Sequence, residues 1–139
     1  MFQKDYFMRY VEEASKVIAR ALGLEEQGEL DKALEVVETA WTGLLELDID
    51  AVKALPEDEL IDYLSSELAF TPDKLEATAD LLFWEGHFLL HAKRTQNAEL
   101  SLRKARILLQ HVIQQEGTFS MVRNNRIHEL ERLINKCAA

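Results

Sequence analysis

The chain has little of what staples or punctuates other folds. Its single cysteine, Cys137, allows no disulfide within the chain, so nothing points to an oxidising compartment. Two prolines and five glycines leave too few turn residues for a many-stranded β protein, which needs a turn roughly every 8–12 residues. No run approaches the ~20 apolar residues that span a bilayer, so no membrane contact is expected. The opening Met1-Phe2-Gln3-Lys4-Asp5 runs into polar residues and not into the apolar stretch of a secretory signal, which makes the cytoplasm the expected location. There is no Gly-rich phosphate loop, Cys cluster, nucleophile elbow or EF-hand spacing, and no cofactor is expected. Basic residues are scarce as well: 16 against 25 acidic ones, a net charge of −9. That balance disfavours a nucleic-acid backbone as the main partner.

What remains is 47% apolar, enough for one packed domain over 1–139 and too much for disorder. The charge is polarised along the chain. Residues 1–70 hold 17 acidic and 6 basic residues, residues 71–139 hold 8 and 10, and all four histidines lie in the second part. Such a chain is suited to a basic partner or to pairing with a second copy of itself. Acidic helices also serve solubility alone.

The apolar spacing is helical throughout. Phe7, Tyr10, Val11, Ala14, Val17, Ile18, Ala21 and Leu22 recur at three and four residues, with Glu12, Glu13 and Lys16 opposite, as on one face of a helix. Gly28 offers the left-handed position that ends it. Leu30, Ala33, Leu34, Val37, Ala40, Trp41, Leu44 and Leu45 repeat the pattern after a gap short enough to make an antiparallel hairpin. The stretch 48–72 breaks the rhythm. Asp48 and Asp50 suit N-caps of a short helix over 51–55, and Pro56 a first helical position. Ile61, Leu64 and Leu68 form the stripe expected to face inward. Thr71-Pro72-Asp73 is a start signal for a segment, Leu75 to Ala92, that is apolar nearly all round and therefore expected between neighbours. Ala98 to Ile113, closed by Gly117, and Ser120 to about Lys136, with Val122, Ile127, Leu130 and Ile134 inward, complete the set.

The two hairpins resemble each other. After the turns Gln27-Gly28-Glu29 and Lys93-Arg94-Thr95 come Ala33 or Ala98, then Val37 or Leu102, then Ala40 or Ala105. With Gly86 and Leu89, and with Leu24 and Leu30, this pattern resembles the tetratricopeptide repeat, in which small residues let two helices approach and large ones fill the groove between them. Arg20 and Ala21 stand where the motif has Leu and Gly, and the hairpins lie about 65 residues apart against the roughly 34 of a regular array. The resemblance implies an all-α fold of antiparallel helical hairpins, about 6–7 helices in all, with residues 48–72 as a helical insertion and a C-terminal capping helix. The whole chain also resembles a family of short bacterial helical proteins without an assigned function, through Gln3-Lys4-Asp5-Tyr6-Phe7-Met8-Arg9, Leu22-Gly23-Leu24-Glu25-Glu26-Gln27-Gly28 and Leu44-Leu45-Glu46-Leu47-Asp48. That resemblance implies no catalytic residues.

Two clusters carry candidate chemistry. His87 and His91 share a helix face at i,i+4, a spacing that holds zinc or nickel in metalloprotease helices. Here Phe88 replaces the glutamate that would follow the first histidine, and the local sequence supplies no third ligand, so no metal is assigned. By the repeat analogy Asp80, Phe83, His87, Leu90 and His91 line a concave face that binds a peptide or protein. Arg123-Asn124-Asn125-Arg126-Ile127-His128 resembles the signature of HEPN all-α ribonucleases. That resemblance implies Arg123 on a scissile phosphate and His128 in general acid–base work, although Leu130 stands where a tyrosine is often found. The expectation is a non-catalytic module binding a protein, a peptide or a second copy of itself, with a HEPN-like ribonuclease as the alternative.

Overall fold

Residues 9–138 are described in a computed structural model, and Phe7 and the opening 3–8 lie outside them. Among the described residues there are seven α-helices and no strand, the all-α architecture that the periodicity predicts. They are α1 (Arg9–Glu26), α2 (Leu30–Gly43), α3 (Ile49–Ala54), α4 (Leu60–Asp62), α5 (Pro72–His91), α6 (Thr95–Glu116) and α7 (Met121–Ala138). The α1–α2 and α5–α6 pairs form hairpins. The first packs against α5, and α7 closes the far side against α6.

The helix ends follow the sequence signals. Gly28 takes φ +79°, and the Glu29 N–H turns back to the Leu24 carbonyl at 2.9 Å, satisfying one of the carbonyls a helix end leaves open. Asp48 caps α3, which runs over Ile49–Ala54 and not 51–55, so that Asp50 lies inside the helix and donates its N–H to the Asp48 carboxylate. The Thr71 hydroxyl accepts from the Lys74 N–H at 3.3 Å, and Gly117 ends α6 at φ +69°. The start of α1 is different. Its Tyr10 and Val11 N–H groups donate to the Asp73 carboxylate at 2.7 and 3.2 Å. Asp73 thus sits in the first turn of its own helix and caps another, a pairing between residues more than 60 positions apart. Burial pushes the Asp73 carboxyl up, and the two backbone donors pull it back.

Leucine dominates the core. Leu45, Leu60, Leu64, Leu75, Leu81, Leu82, Leu102, Leu108, Leu109 and Leu130 are fully buried beside Trp41 and Phe88. Each contributes about 1.5–3 kcal/mol, against about 0–1 kcal/mol for an exposed ion pair, so apolar burial and not the surface charge holds the helices together. As expected of a segment apolar on several faces, α5 is buried along nearly its whole length.

Residues 48–70 lie against α6. Arg103 makes a two-pronged bond to Glu57 at 2.7 and 3.1 Å, and the buried Lys104 ammonium donates to the Leu55 carbonyl at 2.7 Å. The apolar stripe of this segment differs from the expected one. Leu60, Leu64 and Phe70 are buried, and Leu68 is exposed. A wide π-type turn over Tyr63–Glu67 adds to the residues per turn, rotates Leu68 outward and lets Phe70 fold back with its N–H on the Leu64 carbonyl at 2.9 Å. A second correction falls on α7. Val122 is 76% exposed, as is most of its neighbour Met121, and Leu133 takes an inward place beside Leu130 and Ile134.

Candidate functional site

The predicted face on α5 divides in two. At its N-terminal half, Asp80 and Phe83 lie under α7. The Arg126 guanidinium sits 4.3 Å above the Phe83 ring centre and 3.5 Å from the Asp80 carboxylate. Phe83 is only 4% exposed, so it supports the cation and lines no open groove. Beside this pair Arg123 makes a two-pronged bond to Glu76 at 3.0 and 2.8 Å. Burial pushes the Asp80 carboxyl up to about 7, Arg126 pulling it down and Glu76 pushing it further up.

The Asp80 shift has a testable sign. An acid whose folded pKa lies above its unfolded value holds its proton more tightly in the folded state, so its contribution to stability is complete at low pH and is lost as pH rises. The window runs from the ordinary value of 3.8 to about 7. Asp80→Asn is therefore expected to gain stability relative to the unmodified chain as pH rises through that window. Paired urea denaturations at its two ends read the difference, and a pH-independent difference would contradict the shift.

The C-terminal half of the face carries the histidines. His87 and His91 are in contact, their ring centres 4.4 Å apart and their planes tilted by 59°. Both reach the same carboxylate oxygen of Glu25, which comes from the last turn of α1. His87 Nε2 lies 3.4 Å from Glu25 Oε2, and His91 Nδ1 is in direct contact with it. His87 is half-buried against Trp84 and Phe88. Burial holds its imidazole below the usual histidine range, and Glu25 acts in the opposite direction. Leu90 packs partly into the core. Of the five residues expected on one binding face, His87 and His91 thus converge, and Asp80 and Phe83 belong to a separate cluster. Glu25 was missed because it lies 66 positions from His91 and has no local signal beyond its place in a helix-ending Glu-Glu pair.

Within one chain the structure does not bring Arg123 and His128 together. Five residues along a helix turn a side chain by about 140°, so the two leave α7 on different sides. Arg123 is held by Glu76, His128 is exposed, and the Asn124 amide donates to the Ser120 carbonyl at 2.9 Å at the helix start.

An open concavity among the described residues lies elsewhere, between α1 and α2 on the side away from α5. It is a groove of about 820 Å³. Val17, Ala19, Gly23 and Leu24 of α1 face Val36, Ala40, Gly43 and Leu44 across it, with Glu13, Arg20, Gln27, Lys32, Glu35 and Thr39 on its rim. A side chain added at Gly23 or Gly43 would meet open space. In the sequence Val17, Leu24 and Leu44 count as core stripe, because periodicity marks an apolar face without saying whether another helix covers it. No family model matches the chain, and no curated protein or solved structure matches it either.

Proposed function

We propose that the protein is a non-catalytic interaction module whose α1–α2 groove receives an amphipathic helix of a partner protein, one with lysine or arginine flanking its apolar stripe. The observation that carries this reading is the groove itself: two apolar helix stripes, small residues at their centre, and, among the described residues, no third helix across them. Its α1 wall runs from Glu13 to Leu24, about 17 Å at helical rise, which suits roughly three turns of a partner helix. The rim itself is balanced, Glu13 and Glu35 against Arg20 and Lys32, and the charge of the partner follows from the surface around it. Residues 9–43 as a whole carry eight acidic and four basic side chains, and Lys16 and Lys32 already pair with Glu13 and Glu29. A basic flank complements that surface and an acidic one is repelled. The single cysteine fits a protein that works in the reducing cytoplasm.

A displayed library of amphipathic helical peptides tests the reading. Selected peptides are expected to carry apolar residues at i, i+3, i+4 and i+7 with basic neighbours, and Val36→Glu is expected to weaken their binding at least tenfold while His128→Ala leaves it unchanged. Circular dichroism checks that the variant is folded. Selection of acidic peptides, binding indifferent to Val36→Glu, or a dimer dissolved by that substitution would overturn it, the last by assigning the groove to a second copy. RNA cleavage abolished by Arg123→Ala and His128→Ala would overturn it in favour of the ribonuclease.

A further inference from the structure

We propose that Glu25, His87 and His91 bind a single divalent transition-metal ion of the zinc type. The three residues each offer one ligand atom, and these atoms lie within 4.8 Å of one another. Two imidazole nitrogens and one carboxylate oxygen are a donor set that zinc accepts with bonds of about 2.0–2.2 Å. Two donors of a tetrahedral zinc ion are then about 3.3 Å apart; His87 Nε2 and Glu25 Oε2 stand at 3.4 Å, and His91 Nδ1, in direct contact with that oxygen, must draw back as an ion enters. The ligands come from two helices whose geometry is set independently. His87 and His91 are one turn apart near the end of α5, and Glu25 lies in the last turn of α1, just before the Gly28 turn. Packing of α1 against α5 is what brings them together.

The donor chemistry narrows the ion. Calcium and magnesium take oxygen ligands, and two imidazoles select zinc, nickel, cobalt or copper instead. A hydrogen bond from one imidazole would satisfy Glu25, and His91 supplies it; a nitrogen of the second imidazole, His87 Nε2, nevertheless lies 3.4 Å from the same oxygen, so all three donors surround one point. The His91 side chain is 55% exposed, so an ion can enter, and three protein ligands leave a fourth position for water or for a donor from a bound molecule. An ion there would tie the end of α1 to the end of α5. The site is separate from the α1–α2 groove, and its test does not depend on a partner.

The metal-free full-length chain is titrated with zinc by calorimetry and with cobalt by visible absorption. One equivalent is expected, with the intense visible bands of tetrahedral cobalt and a rise in melting temperature at saturation. The Trp84 ring centre is 5.0 Å from that of His87, so copper or cobalt is expected to quench a large part of the Trp84 emission, and Trp84→Phe to remove that part. His91→Ala and Glu25→Gln, both at surface-accessible positions, are expected to weaken binding at least a hundredfold. His128→Ala and Cys137→Ser are expected to leave it unchanged. Binding at less than one equivalent, binding that survives His91→Ala or Glu25→Gln, or binding that disappears with Cys137→Ser would each overturn the assignment.

Discussion

Replacing Glu85 by alanine is expected to destabilise the protein by about 3–5 kcal/mol. Glu85 is 3% exposed in the middle of α5 and is the acceptor of a three-way buried network. The Trp41 indole N–H donates to it at 3.1 Å from α2, the Ser101 hydroxyl at 2.9 Å from α6, and the Lys53 ammonium lies at 3.0 Å from α3. Four helices therefore meet at one carboxylate. Removing it leaves two buried donors without an acceptor, each costing about 1–3 kcal/mol, and a cavity besides. Lys53 can still turn to water, which keeps the total below that of a fully sealed ion pair. Glu85→Gln retains an acceptor oxygen and is expected to cost about half as much. Urea denaturation followed by circular dichroism measures both, and the Trp41 emission should shift to the red as its ring gains water. A cost for Glu85→Ala below about 1 kcal/mol, the net worth of one ordinary hydrogen bond, would mean that the network does not form.

The second large effect is steric. A Cβ on Gly86 would lie 2.5 Å from Leu102 Cγ, 2.6 Å from its Cδ2 and 3.3 Å from the Ala98 carbonyl. Leu102 is fully buried and has nowhere to move, so α5 and α6 must part. Gly86→Val is expected to cost about 3 kcal/mol, the upper end of overpacking. Gly86→Ala is expected to cost about 1–2 kcal/mol, because alanine recovers close to 1 kcal/mol of helix propensity. Gly23 provides the control, since it is also helical and has open space around it; Gly23→Ala should stabilise by up to about 1 kcal/mol. Combining Gly86→Ala with Leu102→Ala should cost less than the sum of the single changes, because each relieves the other. Additive costs would show that the clash is relieved by backbone movement instead.

These two neighbours on α5 show how much the sequence carries. Gly86 is legible in advance: a glycine inside an apolar helix, set against the Ala98, Leu102 and Ala105 spacing, reads as a close helix contact. Glu85 is not. A glutamate between Trp84 and Gly86 is indistinguishable in sequence from a surface residue, and its partners lie on three other helices.

The same division runs through the candidate sites. The i,i+4 histidines are legible because a helix puts them on one face whatever surrounds it. Glu25 as their companion, Asp73 as the cap of α1, and Arg126 over Phe83 all depend on which helix packs against which. The α1–α2 groove is illegible for a related reason, since its apolar stripe obeys the same period as a buried one.

By itself, then, the sequence determined the all-helical class, most of the places where the long helices begin and end, and the hairpin pairing. Each rests on interactions within a few residues: apolar periodicity, caps, glycines at left-handed positions, and short connections. Only the tertiary structure decided that Phe70 replaces Leu68 in the core, that Glu85 joins four helices, that Glu25 meets His87 and His91, and that one apolar face stays uncovered among the described residues. Those outcomes depend on contacts between residues tens of positions apart, whose geometry is set when whole helices dock and is not encoded in the spacing of any one of them.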